Sequence, residues 1–198
     1  MLKKIISGGQ TGADRAALDF AIKMEIPHGG WIPKGRLAED GPLPPRYHLK
    51  EMRTRIYAKR TEKNVVHSDG TLIVSHGKLT GGSQYTMDMA ILHEKPWLHI
   101  NLKETSTLES AQKVIDWVLN NQIETLNFAG PRASKDPKIY RAVFELLETV
   151  YYIAIEACRF FDSGTHSVPY CYESIGLSRS FVKFSSEVYS NVFRKACE

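Results

Sequence analysis

Cysteine is absent from the first 150 residues. Cys158, Cys171 and Cys197 all fall in the tail, without C-x-x-C spacing. An odd count of this kind is no disulfide framework, and a core without thiols holds no cysteine-based metal site. The seven histidines form no HExxH or similar cluster, which removes the common zinc patterns. No run approaches the roughly 18 uncharged apolar residues of a membrane span. The opening MLKKII lacks the long apolar region and small-residue cleavage site of a signal peptide, so a cytoplasmic protein is expected. Charge of one sign is also scarce. The formal net charge is +4, and residues 152–198 hold five basic and five acidic side chains, so the whole excess lies before them. That excess is too small to argue for nucleic acid and enough for a small anion if focused in a cleft.

What is present is an alternation. KIIS reads as a strand, SGGQTG as a turn, and Ala13, Ala16, Ala17, Phe20 and Ala21 as the inner stripe of a helix capped by Thr11, with Asp14 three residues later close to a capping box. A Gly- and Pro-rich stretch follows, with one short strand near Trp31 and a long loop. Residues 55–68 predict a helix, 71–75 a strand, "HGKLTGGSQYTMDMAILHE" a second glycine turn and helix, and "PWLHINL" a strand. Ser106 and Glu109 form a capping box. "TLNFAGPR" ends a fifth strand at a Gly-Pro turn, and Asp136-Pro137 open a helix with Ile139, Val143, Leu146, Leu147 and Val150 inward. The expectation is an α/β, Rossmann-like, mostly parallel sheet of about five strands with helices on both faces, over residues 1–157. Residues 158–198 form a C-terminal extension, in which Phe181, Phe184, Val188 and Val192 could line a last helix.

In such a sheet, ligands bind beyond the carboxyl ends of the strands. The loops there are SGGQTG, IPKGR, SHGKLTGG, NLKET and AGPRASK. Glycine lets backbone amides approach a ligand, and a helix N-terminus adds free N–H donors, so the loops suit an anion such as phosphate. The first lacks the Lys-Ser/Thr pair of a Walker A loop, which excludes ATP hydrolysis of that type. Lys34, Arg36 and Arg132 stand beside Gly or Pro, where a fixed backbone aims them at a ligand; Lys78 and Lys135 suit a solvated surface equally well. Among the acids, Asp14 is assigned to its cap and Asp69 to the turn in SDGT. Asp88, after Gly81-Gly82, could bind a ribose hydroxyl or a heterocycle N–H.

The segments "SGGQTGADRAALDFA", "GGWIPKGRLAEDGPLP", "RTEKNVVHSDGTLIVSHGKLTGGSQYTMDMA" and "NFAGPRASKDPKIY" together resemble the molybdenum carrier (molybdenum cofactor carrier) family, over about residues 3–150. The resemblance implies a Rossmann-like fold of the SLOG superfamily, shared with DprA proteins and LOG-type phosphoribohydrolases. It further implies a homo-oligomer that carries molybdenum cofactor, a pterin with a phosphate monoester and a dithiolene-bound oxo-metal, or a related nucleotide. By motif position, Gly8, Gly9, Gln10, Thr11 and Gly12 would cradle the anion. Lys34, Arg36, Gly81, Gly82, Ser83, Gly130 and Arg132 would complete the cleft. The LOG relatives offer an enzymatic alternative, nucleoside-monophosphate hydrolysis with Asp88 as the acid. Here Gln84-Tyr85 replaces their Gly-Thr and Asp88 their longer Glu. Nucleic-acid binding, as in the DprA relatives, has only the basic cluster of residues 46–60 behind it.

Overall fold

The computed structural model describes residues 2–162. Five parallel strands make the main sheet: β1 (Lys4–Ser7), β2 (His28–Gly29), β7 (Gly70–Ser75), β8 (Trp97–Asn101) and β9 (Thr125–Ala129). Their spatial order is β2-β1-β9-β7-β8. All six residues of β7 are buried, as a central parallel strand covered on both faces requires. Leu72 and Val74 face one side, with Ile5, Leu126 and Phe128. Against them pack α1 (Ala13–Lys23), α4 (Thr107–Asn120) and α5 (Ile139–Asp162), which lie side by side. α2 (Tyr57–Val66) and α3 (Gly81–Leu92) form a separate pair. The expected α/β, Rossmann-like sheet is what the chain forms.

The strand order is the structure's main addition. Taking β9 as the first strand and continuing through β1, β2, β7 and β8 turns the observed order into 3-2-1-4-5, that of a dinucleotide-binding fold. The chain is therefore a permuted Rossmann-like fold whose last strand occupies the middle. The order of connection reverses between β9 and β7.

The stretch between β2 and α2 is less irregular than expected. It holds four two-residue strands: β3 (Trp31–Ile32), β4 (Leu37–Ala38), β5 (Gly41–Pro42) and β6 (Lys50–Glu51). β3 pairs with β6 in parallel, and β4 with β5 in a small hairpin. Leu18, Ile32, Leu43, Tyr47 and Leu49 bury a minor core beneath them.

Two local expectations are corrected. Thr11 does not cap α1: the N-cap is Gly12, at φ +79, and no side chain caps it. Thr11 Oγ1 instead donates to Glu39 and accepts the N–H of Ala133. Asp69 serves more than its turn, for its Oδ2 accepts the N–H groups of Glu124 and Thr125 at 3.1 and 2.7 Å and anchors the start of β9. The Ser106–Glu109 capping box forms as expected. Residues 158–162 of the expected extension continue α5, and the rest of it, with the helix expected there, lies outside the described residues. Among the described residues, no helix is long and apolar enough to cross a membrane.

Candidate ligand-binding cleft

A cleft of about 570 Å³ opens at the carboxyl ends of β7 and β9, where the strand order reverses. This is where an open α/β sheet binds its ligand, and the volume falls within the roughly 300–1,000 Å³ of small-molecule sites. Three glycine-bearing turns meet there: Gly8 and Gln10 after β1, Lys78 to Ser83 after β7, and Gly130 to Arg132 after β9. A wider hollow of about 760 Å³ beside edge strand β8 shares Lys78 and Leu79 with the cleft but contains none of the glycines.

The glycines do different jobs. A Cβ on Gly130 would fall 2.4 Å from the Val74 carbonyl oxygen and 2.6 Å from Ala13 Cβ, and one on Gly12 would fall 2.4 Å from the Pro131 oxygen. One on Gly9 would strike Leu43 and Leu49 of the minor core at 2.8 and 2.9 Å. These positions need glycine so that the turns can pack. At Gly81 and Gly82 a Cβ would meet nothing within 4 Å. Both lie in the first turn of α3, which has no side-chain cap and no acidic residue. Gly81 stands at φ +53, which favours glycine, but nothing among the described residues explains Gly82, and the N–H groups of these two residues are open to an incoming anion.

Of the charged side chains lining the cleft among the described residues, Arg60, Lys78, Arg132 and Lys135 are cations and Asp14 is the one carboxylate. Asp14 is itself neutralised: its Oδ2 lies 3.3 Å from Arg60 Nη1 and accepts the Gln10 N–H at 3.3 Å. Burial pushes its carboxyl above the ordinary range, opposed by the Arg60 charge and by the backbone N–H groups of Gln10 and Gly8. The cleft thus favours an anion.

The β4–β5 hairpin clamps two of the turns. Asp40 takes both guanidinium nitrogens of Arg15 at 3.1 Å. Glu39 accepts from Thr11, from the Ser134 hydroxyl at 2.7 Å and from the Ser134 N–H at 3.2 Å, with Arg132 Nε 3.8 Å away. Burial raises the Glu39 carboxyl, but these bonds and the Arg132 charge together bring it below the usual glutamate range.

Of the residues singled out from the sequence, the structure brings Gly8, Gln10, Gly81, Gly82, Ser83, Gly130 and Arg132 to this cleft. Gly9, Thr11 and Gly12 support it from behind. Lys34, Arg36 and Asp88 stand elsewhere. Lys34 is exposed. Arg36 donates to four carbonyl oxygens, those of Leu43, Leu49, Pro44 and Tyr47, at 2.8–3.2 Å, and so ties the 37–49 segment together. Asp88 is exposed on α3 and accepts from Gln84 Nε2 at 2.9 Å. Lys78 and Lys135, undecided from sequence, both line the cleft. Sequence reasoning passed over Asn64, read Arg60 only as part of the basic cluster of residues 46–60, and assigned Asp14 to a cap, whereas Asp14 lines the cleft and holds Arg60 and the Gln10 N–H. The available signal was the i, i+4 spacing of Arg60 and Asn64, which puts both on one face of α2.

A permuted Rossmann-like fold with glycine turns converging on a cationic cleft is the architecture of a small-ligand-binding protein. The chain belongs to the circularly permutated YpsA SLOG family, which residues 5–151 match. The permuted strand order accords with that description. A solved structure, of the "Putative molybdenum carrier protein" from Syntrophus aciditrophicus SB, is similar to this chain at 59% identity and a TM-score of 0.75, over 75% of this chain and 94% of that one. No curated protein matches.

Proposed function

We propose that the protein binds a small phosphorylated anion in this cleft and carries it without changing it, with molybdenum cofactor the best candidate cargo. The observation that carries the reading is Gly81-Gly82. Gly81, whose φ of +53 itself favours glycine, and Gly82, where nothing in the packing calls for one, open a helix whose N-terminus has no side-chain cap, beside four cationic side chains. A phosphate monoester placed there would accept the first-turn N–H groups and lie within reach of Lys78, Arg132 and Lys135. A nucleotide phosphate would meet the same donors. The name of the similar protein from Syntrophus supports molybdenum cofactor over a nucleotide. Assembly as a cytoplasmic homo-oligomer goes with this reading, on the strength of the family resemblance.

The hydrolase alternative is not favoured. Its acid, Asp88, is exposed, absent from the cleft lining and engaged by Gln84. Mass spectrometry of whatever co-purifies with the folded protein tests the carrier reading. A retained pterin, lost in Arg132→Ala, supports it; release of free base from nucleoside monophosphates, abolished in Asp88→Asn, overturns it.

A further inference from the structure

Arg60 is held in place without being used up. Its Nη1 bonds Asp14 Oδ2, and the guanidinium crosses the backbone at Gly8, where a Cβ would fall 1.1 Å from that same nitrogen. The side chain is only 11% exposed. Among the described residues, its Nε is buried with no hydrogen-bond partner and Nη2 donates to nothing; a further contact is the Tyr57 ring, 5.9 Å away. Nε and Nη2 share one edge of the planar group, the edge with which a guanidinium takes two oxygens of an oxyanion at once. Gln10, 7% exposed, lines the same cleft. Its Oε1 is occupied by the N–H groups of Thr11 and Glu39, while Nε2 is buried without a partner. Both residues are anchored on one atom, since the Gln10 N–H also reaches Asp14 Oδ2.

A buried donor with no acceptor destabilises a fold. Two such side chains lining one cleft call for an acceptor from outside. The geometry points to an oxyanion subsite formed by the Nε/Nη2 edge of Arg60 and the Gln10 amide, with Asp14 as the positioning residue. It takes two or three oxygens of a phosphate or oxo-metal group. Gly8 has no side chain because the guanidinium occupies that space. The inference rests on the anion-binding reading of the cleft and assigns the side chains that grip.

The test is a titration of the full-length, ¹⁵N-labelled protein with inorganic phosphate and, in parallel, with molybdate, followed by NMR. The Arg60 Nε–H, shielded from solvent and identified by its loss in Arg60→Lys, should shift together with the Gln10 side-chain amide. Whichever probe moves them more tells a phosphate from an oxo-metal group. Arg60→Lys keeps the charge beside Asp14 but loses the two-pronged edge, and should weaken binding about tenfold, one charge-assisted bond. If the Gly81 and Gly82 amides shift while Arg60 and Gln10 stay still, the subsite is wrong and the helix reading stands. If Arg60 and Gln10 shift alone, the subsite stands and the helix reading falls. If neither probe moves any of the four, both are overturned.

Discussion

Gly82→Ala should make the protein more stable and a worse binder. Gly82 lies in the first turn of α3 with no atom within 4 Å of the position its Cβ would take, so alanine fits without displacing anything. Replacing glycine in a helix by alanine stabilises by roughly 0.5–1 kcal/mol. For a domain of this size that is a rise in Tm of about 1–4 °C. The new methyl group projects from the turn whose N–H groups are offered to the ligand. Losing one charge-assisted hydrogen bond costs about 1.5–3 kcal/mol, or a 10- to 100-fold weaker Kd. Scanning calorimetry of the ligand-free protein reads the first effect and calorimetric titration with inorganic phosphate the second. Gly130→Ala is the contrast, since its Cβ would sit 2.4 Å from the Val74 oxygen and must destabilise the fold itself. A Gly82→Ala protein that gains stability and keeps full phosphate affinity refutes the assignment of this turn to the ligand.

The other predictions concern the framework. Glu39 has a folded-state carboxyl below the usual glutamate range, so its contribution to stability is present above about pH 4.3 and disappears as the pH falls through its folded value. Glu39→Gln should therefore flatten the acid limb of a urea-midpoint-against-pH curve and leave its alkaline limb unchanged. Arg36→Met strips the donors from four carbonyl oxygens and should cost at least about 2 kcal/mol in urea unfolding, with the phosphate affinity of the folded protein unaltered. Tyr140 is pushed up to about 12 by burial and by its 2.9 Å bond to Asp19, so Tyr140→Phe should remove a late tyrosinate step from the absorbance titration at alkaline pH.

The fold was legible wherever a pattern repeats over a short stretch. The Leu72-Ile73-Val74 run of β7, the Ser106–Glu109 box and the Ile139, Val143, Leu146, Leu147 stripe each declare themselves within a dozen residues. The pairing order of the strands does not, because a parallel ladder between Ile5 and Leu126 leaves no local mark. The same division runs through the site. Glycine turns at strand ends could be read off and do converge. Thr11 looked like a cap because its true partners, Glu39 and Ala133, are 28 and 122 residues away. Arg36 and Arg60 are alike in sequence as basic residues. One is spent on backbone carbonyls and the other keeps an edge free, a difference created by the surrounding fold.

The middle place of β9 bears on how the molecule is made. During synthesis, β2 with β1 and β7 with β8 emerge as two flaps whose inner edges have no neighbour. Only when residues 125–129 appear can one strand join them along both edges. The cleft is completed in that same step, because Gly130 and Arg132 arrive with the joining strand. A nascent chain stopped short of that point would lack both the strand that joins the two half-sheets and one wall of the cleft, so cleft and sheet are completed together.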